Sequence, residues 1–117
     1  MTTMPQHVGH EVTILTDASL SDSFDLKGAI LEGIVMPALW TAAGISFEGS
    51  MDDVTFYEIG DGTAEITLVA GAGWLISIPR GILDGAGRYI KIRSGTSAAP
   101  VVQLLADRVL TLLVRRS

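Results

Sequence analysis

Asp52, Asp53, Asp61 and Asp84 stand in or beside segments of turn composition, where carboxylate oxygens can ligate calcium. Their spacing matches neither an EF-hand loop nor a repeat calcium loop, so aspartates bonded to their own turn backbone are the expected reading. Glu48 and Glu58 stand on strands expected to face each other. Acid–base work would require burial to split their pKa values, and no flanking feature buries them, so both are expected to be solvated. Ser97 follows Gly95-Thr96 and precedes Ala98-Ala99-Pro100, a setting that can present a serine nucleophile at the start of a helix. That chemistry needs a histidine base and an aspartate to orient it. The two histidines, His7 and His10, lie in the leader, where stray metal uptake is the most they offer. Gly60-x-Gly62 and Gly71-x-Gly73 are too short to cradle a phosphate. No catalytic, cofactor-binding or metal-binding residue is therefore expected, and no cofactor.

Contact chemistry is better represented. In RYIKIR, Ile90 and Ile92 alternate toward a core and turn Tyr89, Lys91 and Arg93 outward together. Such a stripe can stack on and hydrogen-bond a glycan, dock on a protein subunit, or remain a solvated face. Trp40, in PALWTAAG, and Trp74, in GWLISIP, read as core or interface anchors, with a sugar platform as the other possibility. Arg115 and Arg116 give the expected final strand a basic end. The candidate interface is thus Tyr89, Lys91, Arg93, Arg115, Arg116 and Trp40.

The elements that must position these residues are strands. In ISFEGSMDDVTFYEIGD, residues 45–61, Ile45, Phe47 and Gly49 share one face and Ser46, Glu48 and Ser50 the other. Met51-Asp52-Asp53 reverses the chain, and VTFYEI returns. Glycine and polar clusters recur along the sequence at turn spacing and delimit nine strands, at 10–16, 22–26, 29–36, 43–49, 54–59, 64–70, 74–78, 88–93 and 107–115. They predict an all-β fold, a two-sheet antiparallel β-sandwich over residues 10–117 with a flexible N-terminal arm over 1–9. Phe47, Ile66, Leu68, Ile90, Ile92, Leu110 and Leu112 should be mainly buried. Two stretches also fit helices: residues 27–44 before Pro37, and 98–108, where Ser97 can cap and Pro100 can sit early.

One domain of 117 residues can bury a sheet-on-sheet core without staples, and with no cysteine it has neither disulfide nor thiolate ligand. The N-terminus lacks the pattern of a secretory signal, and no apolar run is long enough to span a bilayer. The mean hydropathy of +0.43 then describes core and contact surface. Net charge is −5: residues 1–79 carry a balance of −10, with Lys27 their only base, and residues 80–117 one of +5. Overall acidity argues against nucleic acid. The asymmetry implies either acidic and basic poles that favour contacts between copies, or strands that interleave and cancel it.

Three segments, MPALWTAAGISFEGSMDDVTFYEI, RYIKIRSGTSAAPVVQ and ADRVLTLLVRR, resemble a family of small structural proteins of tailed bacteriophages and prophages. In that family a Pro-x-x-Trp-Thr-x-Ala segment precedes a strand and a Ser-x-Asp turn, and Lys-x-Arg-Ser-Gly-Thr precedes a final Arg-x-x-x-Leu strand. The resemblance covers roughly residues 34–115. The hairpin is also similar to discoidin-type, galactose-binding-like jelly rolls, with Asp53 where those have a second turn glycine. The resemblance implies a jelly-roll-like virion accessory protein without catalytic residues, a cement or decoration protein on the capsid exterior. Its implied partners are the major capsid protein, other virion subunits and its own copies in a trimer. A carbohydrate-binding module of a tail fibre, spike or baseplate is the alternative, using loops near Met51–Asp53 and Asp84–Arg88.

Overall fold

The computed structural model describes residues 7–116, which form nine strands and no helix. In chain order these are β1 (His7–Ile14), β2 (Phe24–Asp25), β3 (Ala29–Val35), β4 (Ile45–Ser50), β5 (Tyr57–Glu58), β6 (Thr67–Leu68), β7 (Leu75–Ser77), β8 (Tyr89–Ser94) and β9 (Arg108–Arg116). One antiparallel sheet runs β1-β9-β3-β7; the other runs β2-β8-β4-β5, with β6 also on β4. The pairing is nested. β1 meets β9, β2 meets β8, β3 meets β7, and β4 meets β5 and β6, so the chain is one long hairpin folded over itself. Pairing of β9 with β3 and of β8 with β4 then completes each sheet. This is jelly-roll connectivity, and the predicted all-β sandwich of two antiparallel sheets is what the chain forms.

Alternation builds the core. Ile14, Ile34, Ile45, Phe47, Ile90, Ile92, Leu110 and Leu112 are fully enclosed between the sheets. A bulge between Leu31 and Gly33 inserts Glu32 as an extra residue, which lets Leu31 and Ile34, three apart, both point inward. Ile66 and Leu68 are only half-buried, because β6 is a two-residue edge strand.

Several boundaries differ from the sequence expectation. β1 starts at His7 rather than residue 10, since β9 offers it partners as far as Arg115. Residues 7–9 of the expected arm are therefore strand, and residues 1–6 lie outside the described residues. The return strand expected over 54–59 shrinks to Tyr57–Glu58. Ser50 Oγ accepts from the Asp52 and Asp53 N–H groups, Asp52 Oδ1 accepts from those of Val54 and Thr55, and Asp53 takes a φ of 61°, so the backbone closes on its own side chains.

Neither helix forms. Residues 29–35 of the first stretch are β3. Residues 101–107 are irregular and pinned by Gln103, which has no solvent exposure. Its Nε2 donates to Thr41 O (3.1 Å) and Ser94 Oγ (2.7 Å), while Oε1 accepts from Thr41 N–H (2.8 Å) and Arg108 Nε (3.2 Å).

The charge asymmetry is cancelled by interleaving. Bases of the C-terminal segment pair with acids of the N-terminal one: Arg88 with Asp25, Arg93 with Glu48, Glu58 and Glu65, and Arg115 with Glu32.

Candidate functional site

The stripe on β8 has the predicted direction but a different role. Ser46, Glu48 and Ser50 of β4 stand opposite Arg93, Lys91 and Tyr89 on the outer face of the second sheet. Arg93 is not displayed to a partner: its side chain is 7% exposed, because β5 and the turn before β6 cover it. Nη2 reaches Glu48 (2.5 Å) and Glu58 (3.0 Å), and Nη1 reaches Glu58 (2.5 Å), Glu65 (3.0 Å) and Ser46 Oγ (3.3 Å). One guanidinium thus ties together β4, β5, β8 and Glu65. Glu65 also accepts from the backbone N–H and hydroxyl of Ser97, so the serine in the would-be nucleophile segment is a turn anchor.

Both glutamates flank this buried cation: Glu58 is solvated as expected, at 45% exposure, whereas Glu48 is largely buried, and the sheet splits their behaviour. Burial raises the Glu48 carboxyl above its ordinary range, and the neighbouring Glu58 charge adds to the rise. Hydrogen bonding from Arg93 holds Glu58 below it. The opposed shifts reflect competition of two acids for one base.

The other candidate residues are dispersed. Tyr89 is half-buried with the Arg88 guanidinium 5.3 Å from its ring centre, and the Lys91 ammonium lies 4.2 Å over the Phe56 ring. Trp40 is half-buried against the core, and its indole N–H donates to Ala43 O (3.1 Å). Arg115 is engaged with Glu32 at 2.6 Å, whereas Arg116 is exposed at the end of β9. Three of the six share the second sheet's outer face, two lie at one end of the first sheet, and Trp40 follows β3. The geometry does not assemble them into one site.

The turn aspartates behave as turn chemistry predicts. Asp52 is held below the usual range by the Thr55 and Val54 N–H groups, and Asp61 by those of Ala64 and Thr63. Among the described residues no group of three or more histidine or acidic side chains is arranged to hold a metal ion.

Two concavities accompany these surfaces. The loops near Met51–Asp53 and Asp84–Arg88 do converge, enclosing a cleft of about 260 Å³ bordered by exposed Tyr57 and floored by Gly49, Ala86 and Gly87. Glycine is required at this approach. A Cβ on Gly49 would lie 1.9 Å from Ala86 O, and one on Gly87, at φ 97°, would lie 2.7 Å from Ser50 O. Gly49→Ala is expected to cost about 1–3 kcal/mol by pushing the 81–87 turn off β4. Urea unfolding checks this; an unchanged midpoint would show that the turn swings away freely. The larger groove, about 730 Å³, lies beside β7, lined by Ile30, Glu32, Pro79, Arg80, Leu113 and Arg115 among others.

The first sheet also carries an exposed apolar face that the sequence reading missed. Val35, Leu75 and Val109 are 39%, 63% and 42% exposed, half-buried Leu113 lies among them, and Trp74, 54% exposed, sits beside β7. The available signal was VLTLLV in β9, with Thr111 its single polar residue: a strand with one solvated face should alternate with polar residues throughout. No family model matches the chain, and no curated protein or solved structure matches it either.

Proposed function

We propose that the protein is a structural accessory of a tailed-phage virion, bound to the capsid exterior as a cement or decoration protein that stabilises the shell, and that it is not an enzyme. The observation that carries this reading is the apolar outer face of the β1-β9-β3-β7 sheet, where Val35, Leu75 and Val109 remain exposed. A broad apolar face is suited to a macromolecular contact rather than to turnover of a small substrate. Its partners in this reading are the major capsid protein, neighbouring virion subunits and its own copies, with a trimer the form the phage resemblance implies. Neither nucleic acid nor membrane is a partner.

Leu75→Glu combined with Val109→Glu alters that face without entering the core. Its expected effect is a folded protein with at least about tenfold weaker occupancy on particles, since each charge would be desolvated in the contact. Arg115 is a poorer probe, because replacing it would also break its pair with Glu32. Particles lacking the protein should lose DNA at lower temperature than complete ones.

The cleft beside Tyr57 favours one second reading, a carbohydrate-binding module of a tail fibre, spike or baseplate, with the ring as a stacking surface. Depleted particles that remain robust but fail to adsorb to cells would establish that reading in place of the first.

A further inference from the structure

β1 is an outer strand of its sheet, and its free edge carries unused hydrogen-bonding groups. The Thr13 N–H donates to Asp22 Oδ1 (2.8 Å), and the Thr13 carbonyl accepts from the Asp22 N–H (3.3 Å), so the Thr13 backbone points away from β9. In an antiparallel ladder this direction alternates residue by residue. The β1–β9 register runs unbroken from His7↔Arg115 to Ile14↔Arg108. Gly9 and Glu11 therefore also direct N–H and C=O off the edge, and both residues are exposed. Among the described residues no partner meets those groups. An edge of this kind is a template for another strand, and Asp22 plugs it at one end.

We propose that β1 pairs with β1 of a second copy of this chain, antiparallel about a two-fold axis through Gly9. Registers shifted toward Thr13 are disfavoured by residues already described. Centring on Glu11 sets two carboxylates directly opposite and requires Thr13 to bond Gly9, although Asp22 occupies the Thr13 groups. Pairing Gly9 with Glu11 meets the same obstruction, because Thr13 then falls opposite His7.

Centring on Gly9 leaves Thr13 outside the ladder. It sets Glu11 opposite His7 on both sides of the axis, an acidic residue type against a basic one, and symmetry supplies the match twice. Glycine on the axis sets no side chain opposite its own copy. About six backbone hydrogen bonds result, and the two sheets become one, with their apolar outer faces side by side. The contact is independent of the virion reading, and in a trimer it would join one trimer to the next.

The chain has no cysteine, so an introduced one reports the register directly. Hydrogen-bonded antiparallel partners stand about 5.5 Å apart at Cα, inside the disulfide range of about 4.4–6.8 Å. Under mild oxidation, Gly9→Cys should form a covalent dimer at least about tenfold faster than Glu11→Cys, whose two copies would be more than about 13 Å apart along the strands. A mixture of His7→Cys and Glu11→Cys should cross-link as the mixed pair, which provides the test should Gly9→Cys fold poorly.

By sedimentation at tens of micromolar, the unmodified protein should contain this dimer. Gly9→Asp should abolish it by setting like charges at the axis. A Cβ at that position meets only Thr111 Cγ2, at 3.2 Å, so circular dichroism should show the fold retained. A β1-independent state, unchanged by Gly9→Asp, or cross-linking of Glu11→Cys as fast as Gly9→Cys, overturns the proposal.

Discussion

Arg93→Ala is expected to lower the unfolding free energy by about 3–5 kcal/mol, the usual cost of removing one partner from a buried ionic cluster. The loss is large because Glu48 and Glu65, 14% and 18% exposed, would be left facing each other and Glu58 across the vacated guanidinium. It should also depend on pH, and the two perturbed carboxyls oppose each other. Glu58, held low, contributes stability that is present above its unfolded pKa and fades as pH falls through its folded one. Glu48, raised, carries a penalty at neutral pH that is relieved as pH falls through its folded value. In the variant the main cause holding Glu58 low is gone, and protonation relieves repulsion among all three. The gap between variant and native protein should therefore narrow from pH 7 to about pH 4, where carboxylates begin to protonate. Urea unfolding at both pH values measures it. An equal gap would mean that lost packing, not charge, dominates.

Phe47→Ala should be comparably severe, at about 3–5 kcal/mol, because the ring has no solvent exposure and its removal leaves a cavity between sheets that can only partly collapse. The control is Leu75→Ala on the first sheet's outer face: at 63% exposure it should change stability by no more than about 0.5 kcal/mol. Thermal or urea unfolding of the pair tests which face of each sheet is core. Similar losses in both would require that the outer face be covered in the free protein.

The periodic part of the fold was legible because it is local. Alternation in Ile45-Ser46-Phe47-Glu48 and Tyr89-Ile90-Lys91-Ile92-Arg93 sets inward and outward faces whatever else the chain does, and all nine expected strands exist. The failures share a cause: they depend on residues distant in sequence. Arg93 points outward as expected, yet outward did not mean exposed, because Glu58 and Glu65 arrive from segments 35 and 28 residues away to cover it. Gln103 looks like an ordinary polar residue in an apolar run. Only the arrival of Thr41, 62 residues away, gives it a buried set of partners and holds the irregular approach to β9. The sequence had therefore supplied the candidate interface residues without the means to group them.

The nested pairing also governs when the protein can fold. β9 follows every other described strand in the chain yet lies between β1 and β3, so neither has its main partner until residues 108–116 have been made. Contacts joining the two ends of a chain are slow to form, and β-sandwiches of this kind fold in roughly milliseconds to seconds. During that interval Val12 and Ile14 have no sheet to enter, and Leu31 and Ile34 have only the short β3–β7 ribbon, so these strands are then most open to capture by another nascent copy. A chain shortened before Arg108 would lose the middle of its first sheet rather than an edge, leaving β1 and β3 without a common partner. Termination before residue 108 should consequently yield aggregate, not a slightly trimmed sandwich.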